Sequence, residues 1–229
     1  MTYQLILGNR LYFSWSIAAN MMVEKFGLSE HFDIQVVLPQ EESDVARFLK
    51  NVPPARTLPT MVTPDGVVVS DSLAIAEELA SRFPEANMWP TDPTARAVAR
   101  TVAAEMHSSF GGLRGNWPVN LRHVFNGAIA PPEIDKELDR LELIWANARE
   151  KSGSKTAWLC GDYSIADAIF APMAARLAAY KFDTRPVTKA YVASHLADAA
   201  FKKWRDDGLQ NDPIMPKFDL DLPTEPWPV

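Results

Sequence analysis

The order of extended and helical segments constrains the fold of this 229-residue chain more than any other sequence feature. Short apolar, β-branched or aromatic runs predict strands over residues 3–7, 32–38, 60–63 and 67–69. The turn sequence Pro64-Asp65-Gly66 predicts that the last two strands form a hairpin. Apolar residues at helical spacing predict helices over residues 17–26, 44–51 and 72–83. The first 84 residues therefore read β-α-β-α-β-β-α, a mixed α/β domain.

The composition of the chain changes after residue 84. Two prolines in the segment 88–93, MWPTDP, predict a linker over residues 85–93. Beyond it, helical patterns cover residues 94–110, 133–151, 164–177 and 197–207. The last of these helices is predicted to end at Gly208, and the proline-rich tail from residue 213 is predicted to be irregular. Residues 94–229 are therefore expected to form a second, all-helical domain.

Composition also excludes several classes of function. Lys and Arg number 23 against 29 Asp and Glu, and the resulting net charge of −6 is unlike that of a protein that coats nucleic acid. No uncharged apolar run reaches the roughly 18 residues that span a bilayer, and the N-terminus carries no secretory pattern. The four histidines have no paired metal-ligand spacing, so we expect no metal. The lone Cys160 fits a reducing compartment, and we expect a cytoplasmic protein without membrane or nucleic-acid partners.

Three local features of the first domain carry the functional prediction. Residues 12–16, YFSWS, place hydroxyl groups between the first strand and the first helix. Residues 56–59, RTLP, directly precede the third strand, and Asp71-Ser72 opens the third helix. Each feature alone is typical of an ordinary helix cap or strand start.

Together with the element order, these features resemble the glutathione transferase family over nearly the whole chain. The resemblance implies a thioredoxin-like domain that binds glutathione, followed by an all-helical domain. In that family a catalytic Ser, Tyr or Cys follows the first strand, where Ser14 lies. A cis-proline precedes the third strand, where Pro59 lies, and an acidic residue with a serine opens the third helix, where Asp71 and Ser72 lie. The segment 105–114 and the capping motif Ser164–Asp167 also resemble helices of bacterial members.

The residue types suit the chemistry that this resemblance implies. A free thiol has a pKa near 8.5, so only a few per cent is thiolate at pH 7. A hydroxyl at a helix N-terminus donates a hydrogen bond to the sulfur, and the helix dipole favours the negative charge. We predict Ser14 as that donor, with Tyr12 and Ser16 as the alternatives. Ser16 is expected to be the helix cap.

The resemblance also implies how glutathione would bind. A cis Leu58–Pro59 peptide would turn the backbone groups of Leu58 toward an extended tripeptide. Asp71 suits the ammonium group of the γ-glutamyl end, and Ser72 with the helix amides suits its carboxylate. Family members more often have Glu at this position. The shorter Asp71 keeps the charge, but its carboxylate reaches one methylene less far. Arg56 or Thr57 is expected near the glycyl carboxylate.

An apolar cleft between the domains is expected to hold the second substrate, a small hydrophobic electrophile. Met106, Phe110, Leu113 and Trp117 recur at spacings of four, three and four, as one stripe of the fourth helix. Such a stripe is also typical of a hydrophobic core. We expect one or two of its members, with Phe13 or Tyr12, to contact the electrophile, and the proline-rich tail is a candidate cover.

The leading hypothesis is a glutathione transferase of detoxifying type, working as a homodimer with glutathione as co-substrate. A glutathione-dependent isomerase resembling maleylacetoacetate isomerase is an alternative, although those enzymes have Ser-Ser-Cys where this chain reads Phe13-Ser14-Trp15. A non-catalytic glutathione-binding or scaffolding module is the second alternative, because one fold serves many functions. Thioredoxin-type redox chemistry is disfavoured, since the junction lacks a Cys-x-x-Cys pair.

Overall fold

The first part of the chain is built on a four-stranded sheet. The computed structural model describes residues 2–39, 42–129 and 131–228. Its strands are β1 (Tyr3–Leu7), β2 (Phe32–Val36), β3 (Thr60–Val62) and β4 (Val68–Ser70), arranged in the order β2-β1-β3-β4. β1 and β2 are parallel, whereas β3 is antiparallel to both β1 and β4. The helices are α1 (Ser14–Lys25), α2 (Glu42–Leu49) and α3 (Ser72–Arg82). This order confirms the predicted thioredoxin-like arrangement.

The register of the sheet brings three chain segments to one edge. Ile6 pairs with Thr60, and Thr60 pairs with Ser70. The end of β1, the beginning of β3 and the end of β4 therefore meet at the same edge. Asp71 directly follows β4 and Pro59 directly precedes β3, so both lie at this edge, and Ser14 begins the helix that follows β1.

The second part of the chain is predominantly helical. Its helices are α4 (Pro93–Ser108), α5 (Gly111–Asn116), α6 (Pro132–Ser152), α7 (Ile165–Ala179), α8 (Pro186–Ala197) and α9 (Ala199–Asn211). α7 is apolar on every side and nearly all of its residues are buried, as expected for a helix at the centre of a core. α1 packs directly on α7, so one continuous core joins the two parts. No helix within the described residues combines the length and the apolar character needed to cross a membrane.

The capping prediction for α7 is confirmed. The Ser164 backbone amide donates to Asp167 Oδ2 at 2.9 Å, while the helix begins at Ile165. Asp167 is fully buried and also accepts from the Leu159 amide and the Tyr191 hydroxyl. The shorter Asp therefore fills the role that Glu or Gln has in the usual capping box.

Three predictions for the second part are wrong. The strand β5 (His123–Phe125) pairs with β6 (Thr224–Pro226), so the proline-rich tail contains regular structure. α8 carries no helix prediction, because its apolar residues follow only weak helical periodicity. α9 continues through Gly208 instead of ending there. A Cβ on Gly208 would lie 2.8 Å from Leu11 Cδ2, so this glycine permits a close helix contact and is not a helix stop.

Candidate functional site

The β1–α1 junction places Ser14 at the first position of α1. Ser14 is half-buried, and its hydroxyl has no hydrogen-bond partner among the described residues. The first intrahelical acceptor is the Phe13 carbonyl, which accepts from Ser16 N at 3.0 Å and Ile17 N at 3.2 Å. The amides of Ser14 and Trp15 precede that ladder, so the positive end of α1 coincides with the Ser14 side chain.

Ser16 is not the helix cap, contrary to the sequence prediction. Phe13 occupies the N-cap position and makes no side-chain cap hydrogen bond. Ser16 is fully buried two residues into the helix, where its Oγ accepts from the Gly8 amide at 2.9 Å. Gly8 itself must lack a side chain, because a Cβ there would lie 2.2 Å from the Phe13 ring. Phe13 and Ser14 are both half-buried at this junction.

Asp71 and Ser72 form the start of α3. Asp71 is the N-cap, and its Oδ1 accepts from Leu73 N at 2.8 Å and Ala74 N at 3.3 Å. Its backbone has φ 87°, a conformation that residues other than glycine rarely adopt and that often marks functional sites. Ser72 is 2% exposed, and its Oγ is buried without a hydrogen-bond partner. A buried hydroxyl without a partner is costly, so this side chain suits a bound polar group.

The segment before β3 lies at the same sheet edge. The Leu58–Pro59 peptide bond is cis, as expected, and Pro59 is buried. Arg56 and Thr57 are exposed beside it. Thr60 Oγ1 donates to the Thr57 carbonyl at 2.7 Å, which ties this segment to the strand that pairs with β1.

Sequence reasoning missed His107, which links the two parts of the chain at this site. His107 Nε2 lies 2.6 Å from Asp71 Oδ2, and its ring centre is 5.5 Å from that of Trp15. The Arg114 guanidinium lies over the Trp15 ring, 4.8 Å from the ring centre. Arg114 also donates to the His107 carbonyl at 3.2 Å. The one sequence signal for His107 and Arg114 was that both lie in the segment 105–114, which resembles a helix of bacterial family members.

The predicted apolar stripe is not a single helix face. α4 ends at Ser108, and Phe110 has φ 60°, which breaks the helix before α5 begins. Met106 and Phe110 are almost fully buried, at 1% and 3% exposed. Trp117 follows α5 and packs against Tyr180, with ring centres 5.0 Å apart. These residues therefore belong largely to the core, with Phe13 and Trp15 nearer to the surface.

Tyr12 lies against the C-terminal tail. It is 3% exposed and stacks on Phe218, with ring centres 5.2 Å apart. Its hydroxyl is buried and has no hydrogen-bond partner. The neighbouring Arg10 forms an ion pair with Asp212, and Asn9 Nδ2 donates to the Pro213 carbonyl at 2.9 Å. The tail thus holds the loop that leads into α1.

The remaining candidate groups for chemistry lie away from this junction. Burial raises the pKa of the Cys160 thiol to about 12, so this side chain is a poor nucleophile. Within residues 2–39, 42–129 and 131–228, no cluster of His, Cys, Asp or Glu is arranged to hold a metal ion.

Comparison with protein families gives a match over the N-terminal part of the chain. The family described as glutathione S-transferase, N-terminal domain, matches residues 14–82. A probable maleylacetoacetate isomerase from Caenorhabditis elegans is 30% identical over 142 residues, which cover 60% of this chain and 64% of that protein. A stringent starvation protein A homolog from Coxiella burnetii is 29% identical over 124 residues, 54% of each chain. The chain thus spans less than two thirds of the length of both relatives.

Solved structures match the fold over most of the chain. A glutathione transferase homolog from Burkholderia gl BGR1, solved with bound glutathione, has a TM-score of 0.64 and 24% identity, covering 92% of this chain and all of that one. Glutathione transferase Omega 2S from Trametes versicolor has a TM-score of 0.67 and 20% identity, covering 95% of this chain and 99% of that one. At these identities the similarity establishes the fold.

Proposed function

We propose that this chain, whose residues 14–82 match the N-terminal domain of glutathione S-transferases, binds glutathione and activates its thiol for attack on small hydrophobic electrophiles. The observation that carries the proposal is the meeting of three groups at one sheet edge: Ser14, the cis Leu58–Pro59 segment and Asp71-Ser72. Glutathione bound to the Burkholderia homolog supports the choice of ligand.

The start of α3 is proposed to hold the γ-glutamyl end of the tripeptide. The buried Ser72 hydroxyl has a free donor, and it lies at the positive N-terminal end of α3, where the Leu73 and Ala74 amides are already bound by Asp71. Both features suit the γ-glutamyl carboxylate. Asp71 supplies the opposite charge for the ammonium group. The exposed side chains of Arg56 and Thr57 are proposed to approach the glycyl carboxylate.

The start of α1 is proposed to hold the sulfur. Lowering a thiol pKa by two units requires about 2.7 kcal/mol of preferential stabilisation of the thiolate. A hydrogen bond from Ser14 Oγ and the positive end of the 12-residue helix α1 act on the same atom, and each acts only on the charged form. The proton that leaves the thiol passes to solvent. The Ser14 hydroxyl stays protonated throughout.

The second substrate is proposed to lie beside Phe13, where the junction is half-buried, with one or two of Met106, Phe110 and Trp117 behind it. The sulfur forms a bond to the electrophilic carbon, and a leaving group such as chloride departs with its electron pair. The protein contributes proximity as well as thiolate stabilisation.

The test is turnover of a chloro-dinitro-aromatic electrophile with glutathione. We expect Ser14→Ala to lower kcat/KM on the order of 100-fold, because one charge-stabilising donor is lost. In the same variant, the pH midpoint of thiolate formation, followed by the ultraviolet absorbance of bound glutathione, should shift to higher pH. Ser81→Ala, which removes an exposed hydroxyl that donates only to the Glu77 carbonyl, serves as the matched control.

Equal rates for Ser14→Ala and the unaltered protein would contradict the role of Ser14. A large loss in Tyr12→Phe instead would transfer that role to Tyr12, whose hydroxyl lacks a partner. Such a result would require the Phe218 contact to open, since Tyr12 is buried beneath it.

A glutathione-dependent isomerase is a second candidate, favoured by the relative named as a probable maleylacetoacetate isomerase. There the thiolate adds to a cis double bond, the bond rotates, and expulsion of the sulfur returns glutathione unchanged. The same Ser14 chemistry serves this reaction. Conversion of a cis-enone without consumption of glutathione distinguishes it from conjugation.

A non-catalytic glutathione-binding or scaffolding module is the third candidate. The relative named as a stringent starvation protein A homolog carries a name that specifies no reaction. Binding of glutathione without turnover of either substrate would favour such a module.

We also propose a cytoplasmic homodimer. α4 and α6 border a surface groove of about 490 Å³, and Leu143 is 54% exposed beside it. An unpartnered apolar face of this kind suits a second copy. Sedimentation velocity tests the state, with a Leu143→Glu variant expected to shift the protein toward monomer.

A further inference from the structure

The carboxylate of Asp71 already has partners on both of its oxygens. Oδ1 accepts from the Leu73 and Ala74 amides at the start of α3. Oδ2 lies 2.6 Å from His107 Nε2, which reaches across from α4. In the proposed function this same carboxylate pairs with the ammonium group of glutathione. Histidine and ligand therefore converge on one oxygen atom.

His107 is not needed to orient Asp71. Two helix amides fix Oδ1, and the backbone of Asp71 is held by the helix it caps. The contact with His107 therefore adds a competitor at Oδ2 and does not change the orientation of the Asp71 side chain. Both side chains are reachable from solvent, with Asp71 47% and His107 30% exposed.

The charged groups around His107 come from the start of α3, from α4 and α5, and, through an ion pair with α4, from α6. Asp71 faces the ring from α3, and Arg114 of α5 donates to the His107 carbonyl at 3.2 Å. On α4 itself, Glu105 is paired with Arg140 of α6 at 2.6 Å. From α1 the uncharged Trp15 packs against the ring. Asp71 is thus the one carboxylate in direct contact with His107 among the described residues.

We propose that His107 is a specificity-determining residue, which competes with the ammonium group of glutathione for Asp71 and makes glutathione binding depend on its own charge. The inference rests on the proposed function. A protonated imidazole beside Asp71 repels the incoming ammonium group, since like charges at close range disfavour each other. A neutral imidazole donates a single N–H and leaves the second lone pair of Oδ2 for the ammonium group.

Affinity for glutathione is therefore expected to be higher when the imidazole is neutral than when it is protonated. Histidine side chains change charge between about pH 5 and 8. The ammonium and carboxylate groups of the ligand keep their charges over this range. Because both Asp71 and His107 are partly exposed, solvent screens the repulsion and limits the effect to about tenfold in Kd.

The experiment measures binding of S-methylglutathione by calorimetry at pH 5.5 and 7.5. The methylated sulfur cannot ionise, so the thiolate makes no contribution to the pH dependence. We expect the unaltered protein to bind about tenfold more weakly at the lower pH. His107→Gln, which keeps a neutral donor, should bind equally at both pH values. His31→Gln, which removes a half-exposed histidine elsewhere, should behave as the unaltered protein.

A ligand control isolates the ammonium group. S-methylglutathione without the α-amino group has no charge to be repelled, so its pH dependence should vanish in every variant. If His107→Gln fails to fold, His107→Phe keeps a ring against Trp15 and should give the same flat profile.

The outcomes separate the inference from the proposed function. Binding whose pH dependence is unchanged in His107→Gln and His107→Phe overturns the inference and leaves glutathione binding intact. A complete absence of S-methylglutathione binding at millimolar concentration overturns both. A flat profile in the variants, with tenfold dependence in the unaltered protein, supports the inference.

Discussion

Single side chains in unusual environments set the chemistry of the candidate site. Asp71 keeps a positive φ that the α3 cap holds in place, and Ser72 has a buried hydroxyl without a partner. Both residues sit where the family resemblance expects the γ-glutamyl end of glutathione. A site that accepts strain and an unsatisfied hydroxyl at adjacent positions gains stability when a ligand supplies the missing partners.

A third residue in such an environment is His195, which is buried far from the junction. Burial lowers its pKa to about 3, and its ring packs on Tyr191 with centres 4.6 Å apart. The folded protein therefore keeps this ring neutral while the unfolded chain takes up a proton below about pH 6.5. The neutral His195 therefore costs no stability above that pH, and its contribution lowers the free energy of unfolding as the pH falls from 6.5 toward 3.

We expect the free energy of unfolding to fall by about 2 kcal/mol between pH 7 and 5 because of His195 alone. In His195→Phe, which keeps an aromatic ring against Tyr191, that share of the pH dependence should disappear. Chemical denaturation at a series of pH values measures it. His31→Gln should retain the full dependence, and identical curves for His195→Phe and the unaltered protein would refute the assignment.

Secondary-structure elements in this protein begin and end according to both local and distant partners. The start of α7 is local, because Ser164 and Asp167 cap each other within one turn. The break between α4 and α5 is instead marked by the left-handed backbone of Phe110, whose side chain is buried. Glu137 of α6 then accepts from the Gly112 and Leu113 amides and caps the new helix from a distance.

The α7 cap offers a test at the scale of the element. Asp167→Asn replaces one acceptor oxygen with a donor that faces either the Ser164 amide or the Leu159 amide. We expect a loss of about 2–4 kcal/mol in the free energy of unfolding, because the whole network is buried. Urea denaturation measures the loss. Asp162→Asn, at an exposed position in the same loop, should change stability by less than about 0.5 kcal/mol.

At the scale of the whole molecule, the C-terminal segment fastens the loop that precedes the site. Arg10 pairs with the fully buried carboxylate of Asp212, and the Arg10 carbonyl accepts from Trp204 Nε1 at 2.9 Å. Phe218 covers Tyr12 on the same side. Residues of α9 and of the segment after it thus help to position the first residue of α1.

Loss of this attachment should affect both stability and activity. We expect Asp212→Ala to lower the free energy of unfolding by about 2–3 kcal/mol, since Arg10 loses a buried partner. The rate of conjugation should fall as well, because the loop before Ser14 gains freedom. Denaturation and steady-state kinetics measure the two effects. Asp207→Ala removes only an exposed pair with Lys203 and should leave both nearly unchanged.

The sequence by itself determined the order of the first seven elements and the α7 cap. These features depend on hydrophobic period, turn residues and near neighbours, all of which are readable along the chain. Tertiary structure alone decided the His107–Asp71 contact, the pairing of the tail with β5 and the passage of α9 through Gly208. Each joins residues distant in sequence, and no local pattern encodes which distant surface a side chain will meet.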